Sequence, residues 1–252
     1  MLFPYSPPTR FDLRFSIAGI PIRVQPLFWL IAVLLGSTSG GIISLVIWVL
    51  VVFISIIVHE LGHAFALRRH GISSNILLHA SGGLTVPESM RWGGGIASVA
   101  LTPNQEIFVS LAGPFAGFGL ALLVSVLTFI MGGSIVMGTI LFVIPVPVHA
   151  SLPFNLYLLD LFLTDLLWVN IFWGVFNLVP VYPLDGGQVT RYILLIADPW
   201  DGLRKSLWLS FIAGIVIAAI AFFLLGSTYM AVLFGFLAFQ SYQALQGGLN
   251  KL

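Results

Sequence analysis

His59-Glu60-Leu61-Gly62-His63 holds the residue types of metal-assisted hydrolysis at helical spacing. Residues four apart share one face of a helix, so both imidazoles can turn a nitrogen toward one ion. Glu60, next to the first histidine, can reach a metal-bound water as general base. The motif ends an apolar run from Ile42 to Leu67 that is membrane-like in character. Ionisable groups within lipid are costly and mark function by default. The plain alternative is two helix-face histidines satisfied by backbone or neighbours. The apolar setting counts against it, because each of the three polar side chains then needs a partner in lipid.

The elements that must carry this motif follow from hydropathy and from helix breakers. Membrane spans need about 20 apolar residues, fewer when shielded. The chain offers a short proline-started span at Pro26–Ser37, a turn at Ser39–Gly41 and a second span at Ile42–Leu67. Gly71 to Pro87 is too broken for a helix and reads as a hairpin or re-entrant loop around Ser81-Gly82-Gly83. Met90 to Pro103 reads as a glycine-rich linker, Glu106–Ile130 as a third span and Gly132–Pro153 as irregular, with three prolines. Leu156–Leu178 reads as a fourth span and Asp185–Ala197 as a short helix. Leu207–Leu225 and Thr228–Leu245 complete the set. The expected fold is an all-α polytopic membrane protein with about six transmembrane helices and a small membrane-associated β-hairpin. Residues 1–252 are expected to form a single integral membrane domain.

Composition agrees. Of the 252 residues 59% are hydrophobic and 8% charged, against about 25% charged in soluble domains. A net charge of +1 argues against a nucleic-acid partner. The absence of cysteine excludes thiolate ligands, cysteine nucleophiles and disulfides. A metal must therefore be held by histidine and carboxylate, a donor set that suits zinc with an open position for water. No cleavable leader is expected, because no short apolar segment near the start ends in a small-residue site.

Basic residues orient the spans. Arg10, Arg14 and Arg23 precede the first, and Arg68, Arg69 and Arg91 separate the second from the third. Arg191, Arg204 and Lys205 separate the fourth from the fifth, and Lys251 follows the sixth. With six spans all ten fall on one side, which the positive-inside rule makes cytoplasmic. Both termini are then cytoplasmic. His63 and His59 lie five and nine residues before Arg68, roughly 8 and 14 Å inside the helix end. The site is expected in the cytoplasmic half of the bilayer.

Two histidines leave a zinc site short of a third protein ligand. His149 falls on the opposite side of this topology, and His70 lies beyond the span. Asp185 fits best. It follows Asn177-Leu-Val-Pro180-Val-Tyr-Pro183-Leu, where two prolines break the fourth span at its cytoplasmic end. Gly186 and Gly187 let the backbone turn tightly there. Capping the next helix is the competing role for Asp185. His79 reads as a solvated loop histidine near the hairpin.

At this point His59-Glu60-Leu61-Gly62-His63 and the Asn177–Gly187 segment together resemble the site-2 protease family of intramembrane zinc metalloproteases. Gly19–Val24, Ser81-Gly82-Gly83 and Ala112-Gly113-Pro114 are similar to that family's N-terminal segment, membrane-embedded hairpin and Ala-Gly-Pro element. The likeness covers about Ala18 to Gln188, with two further C-terminal helices over 207–245. It implies hydrolysis of a peptide bond within or beside a transmembrane segment of another protein. It implies one zinc per chain on His59, His63 and Asp185, with water activated by Glu60. It sets Asn177 near the substrate or the developing oxyanion, and offers Ser81, Gly82, Gly83 and Leu84 as a strand edge for an unwound substrate. A purely structural hairpin and an Asn177 that only satisfies the broken helix are the competing roles. Gly117 stands where the family usually has asparagine. The chain is expected to be a compact form without a PDZ-like insertion or a C-terminal nucleotide-binding module, so selection would fall to the membrane core, the linker or a regulatory membrane partner.

Two rival classes compete with this reading. A metal-ion or proton transporter would spread polar residues along several spans. A non-catalytic metal-binding scaffold would not need Glu60 beside the metal pair.

Overall fold

The computed structural model describes residues 9–36, 40–88, 101–140, 144–154 and 156–249. The expected 90–103 linker falls largely outside these residues, as do Arg91, Lys251 and the N-terminal prolines. The chain divides into two compact units, residues 1–99 with 115–174, and residues 100–114 with 175–252. The divisions fall within two helices, α3 (Pro103–Ile130) and α4 (Tyr157–Asn177).

The first unit opens on strands β1 (Leu13–Ile17) and β2 (Ile20–Val24). Ala18 and Gly19 join them, both at positive φ (49° and 79°), as a two-residue hairpin with matched twist demands. After α1 (Pro26–Leu35) comes α2 (Ile42–Arg69), then β3 (Ser74–His79) and β4 (Gly82–Pro87). The sheet runs β1-β2-β3-β4, with β2 parallel to β3 and the other pairs antiparallel. Ile20, Ile22 and Val24 alternate inward from β2 and join Ile76 and Leu78 of β3, Phe28 of α1 and Val51 and Val52 of α2 in one core. The 71–87 hairpin expected from sequence is therefore half of a four-stranded sheet. Arg68, in the last turn of α2, donates to the carbonyl of Ala18 at 2.8 Å.

Residues 134–151, expected to be irregular, form a second antiparallel sheet. Strands β5 (Ser134–Ile140) and β6 (Ile144–Ser151) pair with a bulge at Val136/Met137. The start of α4 is tied to it: Asp160 accepts from the Leu152 amide at 2.8 Å, and Thr164 Oγ1 lies 3.0 Å from His149 Nδ1. In lipid, apolar helices gain no hydrophobic driving force from touching, so close packing at small residues and interhelical hydrogen bonds hold them. Gly174 of α4 gives room for the Phe118 ring of α3, and a side chain there would overlap that ring. Asn170, buried on α4, donates from Nδ2 to Ser55 Oγ of α2 at 2.9 Å and to the Leu166 carbonyl at 2.8 Å.

The second unit holds α5 (Asp185–Ala197), α6 (Gly202–Phe223) and α7 (Thr228–Leu249). Val181, Phe234 and Leu237 form its core. Gly214 of α6 lies against Ala238 of α7, the close approach that small residues permit. Ser210 Oγ accepts from the Tyr182 amide and shares a 2.7 Å hydrogen bond with Ser241 Oγ. Glu106, in the first turn of α3, hydrogen-bonds Tyr192 of α5.

Among the described residues four helices are long and apolar enough to cross a membrane, namely α2, α3, α4 and α6. The segment expected as a first span is the ten-residue α1, about 15 Å long and half a bilayer core. In α7, the last expected span, Gln240, Gln243 and Gln246 dilute the apolar run. The chain is an integral membrane protein, and its described residues are mostly helical with two small sheets.

Candidate metal centre

One face of α2 builds the site. Among its buried positions Val52, Ser55, Ile56, His59, Glu60, His63 and Leu67 recur at three- and four-residue steps, the centre of a broad inward face. Val46, Leu50 and Phe65 lie off that face and are exposed. His59 and Glu60 are each 6% exposed and His63 9%, so all three functional side chains of the motif point inward.

The two imidazoles converge, with Nε2 of His59 3.2 Å from Nε2 of His63. Zinc binds histidine nitrogen at about 2.05 Å in tetrahedral geometry, which sets two such nitrogens about 3.3 Å apart. The donor pair therefore fits a shared zinc ion in chemistry and in spacing.

Glu60 is fixed by β4. Thr85 Oγ1 lies 2.6 Å from Glu60 Oε2 and 3.1 Å from the Glu60 carbonyl, and its single proton serves the shorter contact to the carboxylate. Two residues earlier on the same strand face, Gly83 leaves no side chain between β4 and Glu60. A Cβ at that position would sit 2.7 Å from Glu60 Cδ and closer still to Oε1. Alternation along β4 turns Leu84 to the opposite face, where it is exposed. The Ser81–Leu84 segment proposed from sequence is thus split. Gly83 meets the carboxylate, Leu84 faces away, and Ser81 engages His79, its amide donating to Nδ1 at 3.3 Å and its Oγ lying 2.8 Å from that atom.

His79 is not the solvated loop residue expected. It ends β3 and is half-buried. Burial holds its ring below the ordinary histidine range, and the Glu60 carboxylate pulls the other way. His149 stays at the β5–β6 sheet with Thr164, and His70 is the residue that closes α2.

In the second unit Asp185 is the first residue of α5, half-buried, and Leu184 rather than Asp185 occupies the N-cap. Its two glycine neighbours are sterically required. A Cβ at Gly186 would overlap the Leu178 and Val179 carbonyls, and one at Gly187 would lie 2.6 Å from the Tyr182 amide nitrogen. The chain doubles back so tightly after Pro180 and Pro183 that only glycine fits. Asn177 is the last residue of α4.

Two features escaped the sequence reading. Thr85 had a signal, since it shares a strand face with Gly83 at a two-residue step. The buried Asn170–Ser55 pair had none beyond two polar residues in apolar runs.

A buried histidine pair with a neighbouring carboxylate, on a membrane-length helix, is the donor arrangement found in membrane-type zinc metalloproteases. The sequence pattern of peptidase family M50 matches residues 47–201, which spans both the histidine motif and Asp185. The chain belongs to that family, the site-2 proteases. Zinc metalloprotease MJ0392 of Methanocaldococcus jannaschii is 29% identical over 184 residues, covering 71% of this chain and 44% of that protein. The Rip3 protein of Mycobacterium tuberculosis is 30% identical over 173 residues, covering 66% of this chain and 37% of its own length. The chain thus spans less than half the length of these curated relatives. The solved site-2 protease of Methanocaldococcus jannaschii is similar in fold, with a TM-score of 0.54 and 25% identity over 93% of this chain and 95% of that one.

Proposed function

We propose that this protein hydrolyses a peptide bond within or beside a transmembrane segment of another membrane protein, using one zinc ion held by His59, His63 and Asp185. The observation that carries the reading is the 3.2 Å convergence of two buried imidazoles beside a buried, hydrogen-bonded carboxylate on an apolar helix. Bound zinc supplies Lewis acidity, which lowers the pKa of water and polarises a carbonyl. Glu60 takes the proton from the attacking water and delivers it to the leaving amine nitrogen. Asn177 turns its amide toward the developing oxyanion. Strand β4, at the edge of its sheet among the described residues, offers its backbone to an extended substrate segment.

A helix hides its peptide bonds within its own hydrogen bonds, so the substrate must unwind before it is cut. Substrates with helix-weakening residues near the cut are favoured. In this reading both units act as one protease domain. The termini are cytoplasmic and the site lies in the cytoplasmic half of the bilayer, following the one-sided basic residues.

The test is co-expression with a panel of single-span membrane proteins, comparing wild type with Glu60→Gln. A product band from wild type alone is expected. Equal product from both would remove Glu60 from the chemistry and overturn the reading.

A further inference from the structure

We propose that Thr85 is a positioning residue for Glu60, holding its carboxylate in one orientation beside the histidine pair. This rests on the reading of Glu60 as the base. Three observations converge on it. Thr85 Oγ1 lies 2.6 Å from Oε2, within the range of a charge-assisted hydroxyl–carboxylate bond. Gly83, on the same face of β4, admits Oε1 and Cγ of Glu60 into the space a side chain would occupy. Glu60 itself is 6% exposed, so solvent does not supply the orientation.

A glutamate reaches its carboxylate through three torsions, and the last is broad. On α2 alone the carboxylate could turn about these torsions. Thr85 donates its one hydroxyl proton to Oε2, and Gly83 receives Oε1 and Cγ, so β4 places both oxygens. The strand supplies the constraint because β4 is held in register along its whole length, from Ser74↔Pro87 to His79↔Gly82. It does not ride on the helix that carries the base. Groups that orient a reacting side chain in this way are worth about 10–100-fold in activity.

The experiment uses the full-length protein in detergent and in proteoliposomes with a cleavable single-span substrate. Thr85→Val keeps the branched shape and loses the donor, while Thr85→Ser keeps the donor. The expected result is a fall in kcat of about 10–100-fold for Thr85→Val with KM and zinc content unchanged, and recovery to within about threefold in Thr85→Ser. A fall in Thr85→Ser equal to that in Thr85→Val would overturn the proposal, since the hydroxyl would then not be the active element. A KM effect without a kcat effect would also overturn it and assign Thr85 to substrate binding. If Thr85→Val loses zinc or melts early, Thr85→Ser against Thr85→Ala decides. Equal kcat in those two refutes the positioning role, and a higher kcat in serine supports it. Glu60→Gln in the same assay separates the two readings. Wild-type turnover by Glu60→Gln removes the base itself. An inactive Glu60→Gln beside a fully active Thr85→Val removes only the positioning role.

Discussion

Gly83→Ala should abolish most activity while leaving the fold almost untouched. The new methyl would lie 2.5 Å from Glu60 Cγ and 2.7 Å from Cδ. Comfortable carbon contacts need about 3.5 Å, so the carboxylate must retreat by about 1 Å. What the methyl meets is the Glu60 side chain from Cγ outward rather than backbone, so the strain falls on Glu60 and not on the sheet. Gly83 is not among the glycines at positive φ, so alanine fits its backbone and reduces the entropy of the unfolded chain. The melting temperature should therefore shift little. Chemistry is less forgiving, because a 1 Å displacement of a reacting group costs on the order of 100-fold, about 2.7 kcal/mol of barrier. The assay is cleavage of a reconstituted single-span substrate across its concentration range, with zinc and melting measured on the same preparation. The reasoning predicts a kcat near 1% of wild type with intact zinc and near-normal stability. A kcat within twofold of wild type would refute it. Loss expressed only in KM would show that Gly83 serves substrate binding and not Glu60.

Other expectations are independent of that one. Gly186→Ala meets rigid carbonyl groups of Leu178 and Val179, so it should destabilise by about 1–3 kcal/mol and lower the melting temperature in detergent, whatever its activity. Asn170→Ala strips the buried partner of Ser55 and should cost about 0.6–2 kcal/mol, read as a lower midpoint in a denaturant titration. The Asp198 carboxyl is held below the usual carboxylate range by its hydrogen bond from Lys205, at 2.6 Å, and by backbone amides. With the folded value depressed, this contact contributes stability above the unfolded pKa and loses it as pH falls through the folded one. Lys205→Gln should therefore raise the Asp198 titration midpoint toward the ordinary value in a carboxyl-resolved NMR titration.

The parts legible in sequence were those with local causes. Prolines at 180 and 183 end α4, and glycines at 186 and 187 admit the turn into α5, whose span Asp185–Ala197 appears in the structure as read. The four-residue step from His59 to His63 sets both on one face of α2 by helical periodicity alone. Features that depend on distant pairing were not legible. The parallel match of β2 to β3 brings together residues more than fifty positions apart. In β6, Pro145 and Pro147 hid a strand, yet two residues apart they direct their missing amides to the same edge, where a two-stranded ribbon tolerates them. The reach of Thr85 to Glu60 needs both the register of β4 and the rotation of α2, and neither is written in the residues between them.

The central claim is a zinc-dependent peptidase centre on α2 with Glu60 as its base. Its most direct test is a paired measurement on purified protein in proteoliposomes, with zinc per chain by elemental analysis and release of a fragment from a co-reconstituted single-span substrate. The account predicts about one zinc per chain in both wild type and Glu60→Gln, with fragment from wild type only. Fragment released by Glu60→Gln at the wild-type rate, or by wild-type protein stripped of zinc, would contradict it.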